Sequence, residues 1–359
     1  MKVVSIVGNR PQFVKAAPVA AAIASRARHL LVHTGQHYDD GLSQIFFDEL
    51  GLPPPDHRID GLPEGGHARQ TAAMMTALEP LLVTEAPDLT VVYGDTNSTL
   101  AGALTAAKAG LRLAHVEAGL RSFDRSMPEE LNRVVTDVLC DVRLCPSETA
   151  VANLAGEGIQ QGVHLVGDVM VDAARIFGPV AASHSDVLER FGVTSDGYAV
   201  VTVHRQANTE PAAMPRLLEV LEAIPMPAVF PLHPRTAAAL RAAGLDGRAA
   251  TAAILTSPLG YLDFTALLAA AAVCLTDSGG VQKEAYLQRV PCITLRDTSE
   301  WVETVDAGWN QLAGGLDAGR LAGALAALER PAEHPPLYGD GHAAERIADI
   351  LCADSIPVP

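Results

Sequence analysis

Three acidic side chains in the first half of the sequence stand where a catalyst could use them to move protons. Asp95 and Glu117 each come directly after a short apolar run that predicts a buried strand, and Glu129 opens a predicted helix. The carboxyl ends of parallel strands meet at one edge of a sheet, so these groups can converge there. Carboxylates that share a site raise one another's pKa, which supplies proton donors and acceptors near neutral pH.

A purely structural interpretation of the same acids stays open. Asp95 lies in the cluster Asp-Thr-Asn-Ser, whose members all cap helices well, although a helix needs only one cap. Glu129 and Glu130 would also complement the positive end of a helix dipole. Glu117 is harder to explain in this way, because an acid beside an apolar run needs a partner.

The first apolar run, residues 3–7, leads into a turn that could hold an anion. Gly8 permits a tight turn, and Pro11 suits the first position of a helix. Arg10 and Lys15 then surround a helix N-terminus whose free N–H groups attract anions. The segment GNRPQFVK is neither the G-x-G-x-x-G of dinucleotide binders nor a P-loop. Two solvated basic residues on an opening helical turn remain the alternative.

The second half places His–Arg pairs at the ends of two consecutive predicted strands. His204 and Arg205 follow one strand, and His233 and Arg235 follow the next. A single histidine is usually a hydrogen-bonded structural group, but two such clusters favour a functional interpretation. Histidine there could donate to a phosphate or move a proton.

The segment LTDSGGVQKEA is the strongest phosphate signal in the chain. Ser278, Gly279 and Gly280 precede a predicted helix, so bare backbone N–H groups can approach a diphosphate closely. Glu284, one turn into that helix, could accept hydrogen bonds from ribose hydroxyls. An ordinary exposed acid on a helix is the alternative for Glu284.

Composition limits the classes of protein to which the chain can belong. Of its 359 residues, 48% are apolar and 19% are charged, which suffices for a core and argues against a disordered chain. The net charge of −16 disfavours nucleic acid or an acidic membrane as a partner. Aromatic residues, at 4%, are too few for base-stacking platforms.

The cysteines and histidines of the sequence favour a protein of the reducing cytoplasm that binds no metal ion. The five cysteines are odd in number and include no C-x-x-C pair. His33 and His37 leave a predicted strand, where four residues span ~13 Å, too far to share one ion. The first residues do not form a signal peptide, and the longest apolar stretch, 264–275, is shorter than the ~20 residues of a membrane span. We expect neither a metal nor an organic cofactor.

Short Val-, Ile- and Leu-rich runs alternate with Ala-rich helical stretches along the chain, which predicts two doubly wound α/β domains. Most runs lack polar alternation, as expected of strands covered by helices on both faces. The rhythm breaks at residues 178–196, where we place the boundary. The predicted domains are residues 1–177, which carry the acids, and 190–340, which carry the phosphate loop. Ligands of such domains often bind in a cleft between them.

Taken in order, the motifs resemble the non-hydrolysing UDP-N-acetylglucosamine 2-epimerase family over roughly residues 1–310. The matching segments are GNRPQFVKAAP, YGDTNSTLAGALTA, HVEAGLRS, MPEELNR, VGDVMVDA, TVHRQANTE, PLHPRT and LTDSGGVQKEA. The resemblance implies two Rossmann-like domains of the glycosyltransferase-B type with an interdomain cleft, paired as a homodimer. It also implies that a C-terminal helix, about residues 343–351, packs back on the first domain.

The resemblance implies a role for each matching residue. The carboxylates that move the C2 proton would be Asp95, Glu117 and Glu129, and His204 would lie near the diphosphate and the reaction. The UDP-sugar would be bound by Arg10, Lys15, Leu259, Phe264, Ser278, Gly279, Gly280 and Glu284, with Phe264 and Leu259 near uracil. A second UDP-sugar would act as an activator through Gln44, Arg69, Arg205 and His233.

The implied reaction is epimerisation at C2 of a UDP-acetamido sugar, UDP-GlcNAc to UDP-ManNAc, through elimination and re-addition of UDP. Some residues depart from the main pattern: Asn9 and Gln12 replace Thr and Glu, and Trp301 stands where Arg is usual. The Trp form, with TGQHYDD, resembles the branch that acts on a UDP-2,3-diacetamido uronic acid. A UDP-sugar glycosyltransferase, a hydrolysing epimerase and an inactive UDP-sugar sensor remain alternatives.

Overall fold

The structure, a computed structural model, describes residues 1–36, 47–63 and 65–353. The chain divides into two compact units. Unit 1 comprises Met1–Arg175 and the chain from Tyr338 onward, and unit 2 comprises Ile176–Leu337. Within the described residues, no helix is both long and apolar enough to cross a membrane.

Unit 1 is built on a parallel sheet whose strands follow the order β3-β2-β1-β4-β5-β6-β7. These strands are β1 Lys2–Val7, β2 Arg28–His33, β3 His57–Arg58, β4 Leu89–Tyr93, β5 Leu113–Val116, β6 Val142–Cys145 and β7 Val163–Leu165. Its helices are α1 Arg10–Ala24, α2 His67–Glu85, α3 Asn97–Lys108, α4 Pro128–Leu139, α5 Glu148–Gly156 and α6 Val169–His184, which continues into unit 2. The crossover helices cover both faces, so β4 and β5 are buried at every position.

Unit 2 repeats this architecture with a sheet in the order β10-β9-β8-β11-β12-β13. The strands are β8 Ala199–Thr202, β9 Ala228–Pro231, β10 Ile254–Thr256, β11 Val273–Thr276, β12 Cys292–Thr294 and β13 Asn310–Leu312. The helices are α7 Val187–Phe191, α8 Gln206–Thr209, α9 Met214–Glu222, α10 Pro234–Ala242, α11 Asp246–Ala252, α12 Tyr261–Ala269, α13 Gly279–Leu287, α14 Val302–Asp306 and α15 Ala318–Ala326. A short 3-10 turn, Pro211–Ala213, precedes α9.

Two apolar clusters cover the two faces of the second sheet. Ala199 and Val201 of β8 pack into one cluster, and Val200 between them packs into the other. Side chains alternate across a strand, so a strand buried on both faces has no polar positions to alternate. Burial on both faces therefore explains why the strand segments of the sequence are continuous apolar runs.

The last helix, α16 Ala343–Leu351, packs against α1 in unit 1. The buried carboxylate of Asp172 accepts hydrogen bonds from the backbone N–H groups of Ala343 at 3.1 Å and Ala344 at 2.9 Å. These are the free N–H groups of the first helical turn, which a carboxylate satisfies well. An ion pair between Arg26 and Asp349 adds a surface contact to the same docking.

The apolar runs predict strands whose bounds are confirmed within a residue at 3–7, 89–93, 113–116, 142–145, 254–256 and 273–276. The strands β3 and β13 were missed. His57–Arg58 is too short to produce an apolar run, and Asn310–Leu312 contains two amides. Residues 178–196, which the sequence assigned to the boundary, form the end of α6, all of α7 and the turn that follows, and all belong to unit 2.

Candidate active site

The sequence-predicted site residues of unit 1 follow strands that are neighbours in the sheet. Strand order reverses between β1 and β4, because β1 continues to β2 on one side and β4 continues to β5 on the other. Open α/β sheets bind ligands beyond the carboxyl ends of their strands at such a reversal. Lys15 lies on α1 after β1, Asp95 follows β4 and Glu117 follows β5.

Lys15 and Glu117 form an ion pair that is largely shielded from water, with 12% and 6% of their side chains exposed. Glu117 adopts a left-handed φ of 73°, which is strained for a residue with a side chain. Its backbone N–H donates to the carbonyl of Leu144 at 3.1 Å, which fixes the turn. Strain held at the predicted catalytic acid agrees with a functional position.

Gly94 provides the space for this ion pair. It has a φ of 60°, and a Cβ at this position would lie 3.2 Å from Nζ of Lys15 and 3.3 Å from Oε2 of Glu117. A side chain at position 94 would therefore crowd both charged groups and also strain the backbone.

Asp95 forms an ion pair with Arg133 of α4, and 28% of the Asp95 side chain is exposed. Asn132, also on α4, donates to the backbone carbonyl of Asp95 at 2.9 Å. Helix α4 thus orients Asp95 from the side while the carboxylate stays partly accessible. The structure contradicts the interpretation of Asp95 as a helix cap, because the N-cap residue of α3 is Thr96.

The adjacent acids Glu129 and Glu130 have different environments. Glu130 is buried and accepts from the N–H and hydroxyl of Ser122 at 2.9 Å, from the N–H of Phe123 at 3.0 Å and from Arg133 at 3.1 Å. Glu129 is only partly buried, and within the described parts of the chain its carboxylate has no hydrogen-bond partner. Glu130 therefore stabilises the loop before α4, while Glu129 remains available for chemistry.

Gln12 joins the two turns that flank the strand-order reversal. It is buried, it accepts from the N–H of Gly8 at 2.7 Å, and its amide donates to the carbonyl of Tyr93 at 2.7 Å and to Thr99 at 2.9 Å. Asn9 caps α1 through its side chain. The two departures noted in the opening motif are thus structural residues of the turn, next to Arg10 on the first turn of α1.

Sequence reasoning missed a buried polar chain behind these turns. His115 in β5 lies 2.7 Å from Asp137 of α4 and 2.7 Å from the carbonyl of Gly94. Asp137 also binds Arg121 at 2.7 Å, and Arg121 pairs with Glu157. The sequence offered two signals of this chain. His115 interrupts the apolar run LAHV, and Asp137 lies on the face of α4 that packs on the sheet.

In unit 2, Asp277 joins the turn after β8 to the turn after β11, which are neighbours at the second strand-order reversal. Its fully buried carboxylate accepts from the N–H groups of His204 at 3.1 Å and Arg205 at 3.0 Å and from Asn208 at 3.0 Å. Arg205 in return donates to the carbonyl of Asp277 at 2.9 Å. The His–Arg motif and the phosphate-loop motif are therefore parts of one constellation.

His204 and His233, from consecutive strand ends, lie together with ring centroids 5.6 Å apart. The His204 side chain is 42% exposed, so it can reach a ligand. His233 also caps α10 by accepting from the N–H of Arg235. The two His–Arg clusters that the sequence places at consecutive strand ends are thus neighbours within unit 2.

The phosphate-loop residues start α13, as the sequence predicts. Ser278 is the N-cap residue, Gly279 and Gly280 form the first turn, and Gly280 is exposed. A Cβ on Gly280 would have only Ser278 Oγ, at 3.9 Å, within contact distance. A side chain at position 280 would thus meet little of the described protein, and the first N–H groups of a helix are the kind of donors that bind anions.

Two arginines flank this loop and share one carboxylate. Arg296 binds buried Glu300 with two hydrogen bonds of 2.8 and 3.0 Å, and Arg205 approaches the same carboxylate at 3.4 Å. A Cβ at Gly279 would lie 3.2 Å from Glu300. Glu300 thus orients cationic side chains beside the helix N-terminus.

Leu259 and Phe264, the predicted uracil neighbours, belong to one apolar cluster at the start of α12. Both are partly exposed, so their surfaces can also contact a ligand. Burial is the main cause that raises the pKa of Tyr261, with a smaller contribution from the charge of Glu284. Glu284, the predicted ribose ligand, is partly buried near this cluster.

Trp301 and Lys283 form a pair next to the phosphate loop. Lys283 is almost fully buried and its ammonium lies 4.1 Å from the centroid of the Trp301 ring, a cation–π contact. The residue that departs from the main family pattern therefore has a specific partner on α13.

The predicted activator residues are divided between the units and the undescribed segment. Arg69 is exposed on the first turn of α2, Arg205 and His233 lie in unit 2, and Gln44 lies outside the described residues. Their joint role stays a prediction.

Residues 21–352 match the protein family described as UDP-N-acetylglucosamine 2-epimerase. A UDP-N-acetylglucosamine 2-epimerase homolog of Methanococcus maripaludis is 42% identical over 98% of this chain and 99% of its own. The UDP-2,3-diacetamido-2,3-dideoxy-D-glucuronate 2-epimerase of Pseudomonas aeruginosa is also 42% identical, with the same coverage. This two-unit parallel α/β chain belongs to the UDP-N-acetylglucosamine 2-epimerase family.

Solved structures give the same assignment. The crystal structure of the Methanocaldococcus jannaschii UDP-GlcNAc 2-epimerase in complex with UDP-GlcNAc and UDP matches with a TM-score of 0.91 and 39% identity. The match covers 98% of this chain and 99% of that one. The resemblance found in the sequence motifs is therefore confirmed at the level of family and fold.

Proposed function

We propose that this protein inverts C2 of a UDP-N-acetylamino sugar and interconverts UDP-GlcNAc and UDP-ManNAc without net hydrolysis. The observation that carries the proposal is the pair of constellations at the two strand-order reversals. Unit 1 presents Asp95, Glu117 and Glu129, and unit 2 presents the open helix start at Gly279–Gly280. Family membership and the UDP-GlcNAc bound to the M. jannaschii relative support the same reaction.

The chemistry of the substrate explains why both constellations are needed. The hydrogen on C2 has no neighbouring carbonyl and is hardly acidic. If the bond from C1 to the diphosphate oxygen breaks as the proton leaves C2, the electron pair of the C2–H bond forms the C1–C2 double bond. UDP leaves with the electrons of the C1–O bond, and a 2-acetamidoglucal remains. Return of a proton to the opposite face and re-addition of UDP at C1 complete the inversion.

Unit 2 supplies the stabilisation of the departing UDP. The N–H groups of Gly279 and Gly280, with His204 and Arg205, take up the charge that develops on the diphosphate. Leu259 and Phe264 contact the uracil, and Glu284 binds the ribose.

Unit 1 supplies the proton transfers. Asp95 and Glu117 are each held by a cation, Arg133 or Lys15, which fixes their positions. Glu129 has no such restraint among the described residues and can move to take up or give back a proton. Two acids on opposite faces of the ring satisfy the demand that the proton return from the side it did not leave.

A second substrate, UDP-2,3-diacetamido uronic acid, is favoured by one observation. Trp301, typical of that branch, is held by Lys283 on the helix that follows the phosphate loop. The P. aeruginosa relative, named for that substrate, is 42% identical to this chain. Both substrates would react by the same C2 chemistry and differ only in what surrounds C3 and C5.

Proton NMR in D₂O tests the proposal and chooses between the substrates. The protein is incubated with UDP-GlcNAc and, separately, with the UDP-diacetamido uronic acid. We expect the 2-epimer as a UDP-sugar with deuterium at C2, from the substrate that the enzyme prefers. Free N-acetylmannosamine with UDP would show a hydrolysing epimerase, and no turnover of either substrate without an acceptor would favour a transferase.

We also infer a homodimer in the cytoplasm, with a second UDP-sugar as activator. Support for the dimer comes from α4, where Leu131, Val135 and Val138 form an exposed apolar stripe, 50%, 38% and 61% accessible. Sedimentation velocity of Val138→Glu tests it, and Val83→Glu, at an equally exposed valine on α2, is the control. A wild-type protein that sediments as a monomer would contradict the dimer.

A further inference from the structure

The imidazole of His115 lies at the centre of the unit 1 sheet with both ring nitrogens bonded. The residue is fully buried in β5. Nε2 lies 2.7 Å from the backbone oxygen of Gly94, and Nδ1 lies 2.7 Å from Oδ1 of Asp137. A carbonyl oxygen can only accept, so Nε2 must carry a hydrogen.

The environment of Asp137 determines what Nδ1 carries. The other carboxylate oxygen, Oδ2, accepts from the N–H of Gly119 at 3.1 Å and from Arg121 at 2.7 Å. Burial acts to raise the pKa of Asp137, but the charges and hydrogen bonds of His115 and Arg121 outweigh it and lower the pKa. Because Oδ2 accepts from two donors, one of them the charged Arg121 guanidinium, Asp137 is an ionised acceptor, and Nδ1 donates to its Oδ1.

We propose that His115 is a positioning residue, an imidazolium that donates from both nitrogens and fixes the carbonyl of Gly94 and hence the catalytic turn. The inference rests on the proposed function, since the turn matters only if Asp95 and Glu117 act on a substrate. Neither the family description nor the motif that includes His115 assigns it this role.

The hydrogen bonds of Gly94 explain how His115 would act on the acids. The Gly94 N–H donates to Val116 at 3.0 Å, and its carbonyl accepts from His115, so β5 holds both peptide groups that flank this residue. The next residue is Asp95, and a Cβ at Gly94 would lie 3.2 Å from Lys15 Nζ and 3.3 Å from Glu117 Oε2. A shift of the carbonyl would move Asp95 and crowd that pair at once.

The charged groups around His115, taken together, favour the protonated ring over the neutral one. Asp137 faces Nδ1, and Arg121, which binds the far side of that carboxylate, is itself neutralised by Glu157 with two contacts of 2.7 Å. Arg143 donates to the backbone oxygen of Asp137 at 2.6 Å. The charges of Asp137 and Glu157 balance those of His115 and Arg121, and Arg143 adds one further positive charge that is bonded to backbone oxygens.

Nitrogen NMR of the intact wild-type protein, labelled with ¹⁵N-histidine, tests the protonation directly and without any activity. At about pH 7.5 an ordinary imidazole, with a pKa near 6.5, is mostly neutral and shows one nitrogen without hydrogen. We expect His115 to show two N–H nitrogens, each with a one-bond ¹⁵N–¹H coupling. A His115 ring with one bare nitrogen would overturn the proposal.

Kinetics of His115→Gln test the positioning, because glutamine can reach only one of the two partners. We expect kcat to fall by about 100-fold, the cost of a small misplacement of catalytic groups, with KM and UDP affinity within about 3-fold. His29→Gln is the matched control: His29 is a partly buried histidine of the same sheet, bonded to Ser5 at 2.9 Å, and should keep wild-type kcat.

The outcomes separate the two proposals. A folded His115→Gln protein with wild-type kcat would overturn the positioning role. A wild-type enzyme inactive on every UDP-acetamido sugar would overturn the proposed function, whereas the nitrogen spectrum would still decide whether an imidazolium holds Gly94. If His115→Gln does not fold, Asp137→Asn replaces it, and the ring must then lose one of its two hydrogens.

Discussion

A Cβ atom at Gly94 would lie 3.3 Å from the carboxylate of Glu117. Because Gly94 has no side chain, the Glu117 carboxylate has room at this position. The same position faces the ammonium of Lys15 at 3.2 Å. Two requirements, space and a φ of 60°, thus coincide at the turn after β4.

Gly94→Ala should reduce turnover by about 100-fold, because the methyl group displaces Glu117 or Lys15 from the geometry that proton transfer needs. The left-handed backbone should in addition cost ~1 kcal/mol of folding free energy. Steady-state kinetics and urea unfolding measure the two effects. The control is Gly110→Ala, where φ is 68° and no atom of the described residues lies within 4 Å of the new Cβ. It should lose similar stability and keep its turnover; equal loss of turnover in both variants would remove the special role of Gly94.

The neighbouring acids of α4 should respond in opposite ways to the same chemical change. Glu129→Gln should lower kcat by at least about 100-fold and leave the melting temperature unchanged, because its carboxylate makes no hydrogen bond or ion pair among the described residues. Glu130→Gln should lower the melting temperature, because a carboxylate with four hydrogen bonds loses at least one of them, at ~1–3 kcal/mol. Calorimetry and kinetics of both variants decide the matter. A Glu129→Gln enzyme with wild-type kcat would remove Glu129 from the mechanism.

The open helix start in unit 2 makes a prediction about UDP binding alone. Gly280→Ala should weaken UDP binding by about 10-fold or more, because the methyl group occupies the space through which the diphosphate reaches the N–H groups. The fold should not suffer, since only Ser278 Oγ lies near the new atom, at 3.9 Å. Titration calorimetry with UDP measures the affinity. Gly323→Ala on α15 is the control and should bind UDP normally, since its new Cβ would have no neighbour within 4 Å in the part of the chain that the structure describes. Unchanged affinity in Gly280→Ala would place the diphosphate elsewhere.

Acid should destabilise unit 1 through Asp137. Its pKa is lowered in the folded state, so the unfolded chain binds the proton more tightly and stability rises with pH. The contribution is complete above the ordinary value of 3.8 and is lost as the pH falls toward the lowered folded pKa. Urea unfolding from about pH 6 to pH 3 should therefore show a smaller loss of stability for Asp137→Asn than for wild type. Equal slopes would contradict the ionised, buried Asp137.

Asp340 provides the control for burial. A side-chain hydrogen bond from Arg346 lowers the pKa of Asp340 to about 2, but this pair is exposed. Salt at about 1 M should screen the contribution of Asp340 and leave that of Asp137 largely intact.

Much of the fold could be predicted from the sequence because the strands are buried on both faces. The runs 89–93, 113–116 and 142–145 are continuous and apolar, and their bounds agree with β4, β5 and β6. The site residues at the strand ends followed from the same reasoning, since parallel strands bring their carboxyl ends to one edge. His204 and His233 are the example within one unit: 29 positions separate them in the sequence, yet their rings lie together.

The remaining features depend on contacts that no local pattern contains. His115 and Asp137 are 22 residues apart, one in a strand and one on a helix, and only the packing of α4 on the sheet joins them. Glu129 and Glu130 differ in hydrogen bonding because the N–H groups of the loop residues Ser122 and Phe123 donate to Glu130. The Lys283–Trp301 contact similarly needs two separate turns to meet.

The attachment of α16 to α1 has a consequence for biosynthesis. Unit 1 includes both the first residues of the chain and the helix that begins at Ala343, while unit 2 is inserted between them. On the ribosome, the first sheet emerges early but cannot acquire its final helix until nearly all of unit 2 has been translated. During that interval the surface of α1 that α16 covers stays open and the carboxylate of Asp172 lacks its partners, so a chaperone or a nascent-chain protease would find unit 1 vulnerable until synthesis passes Leu351.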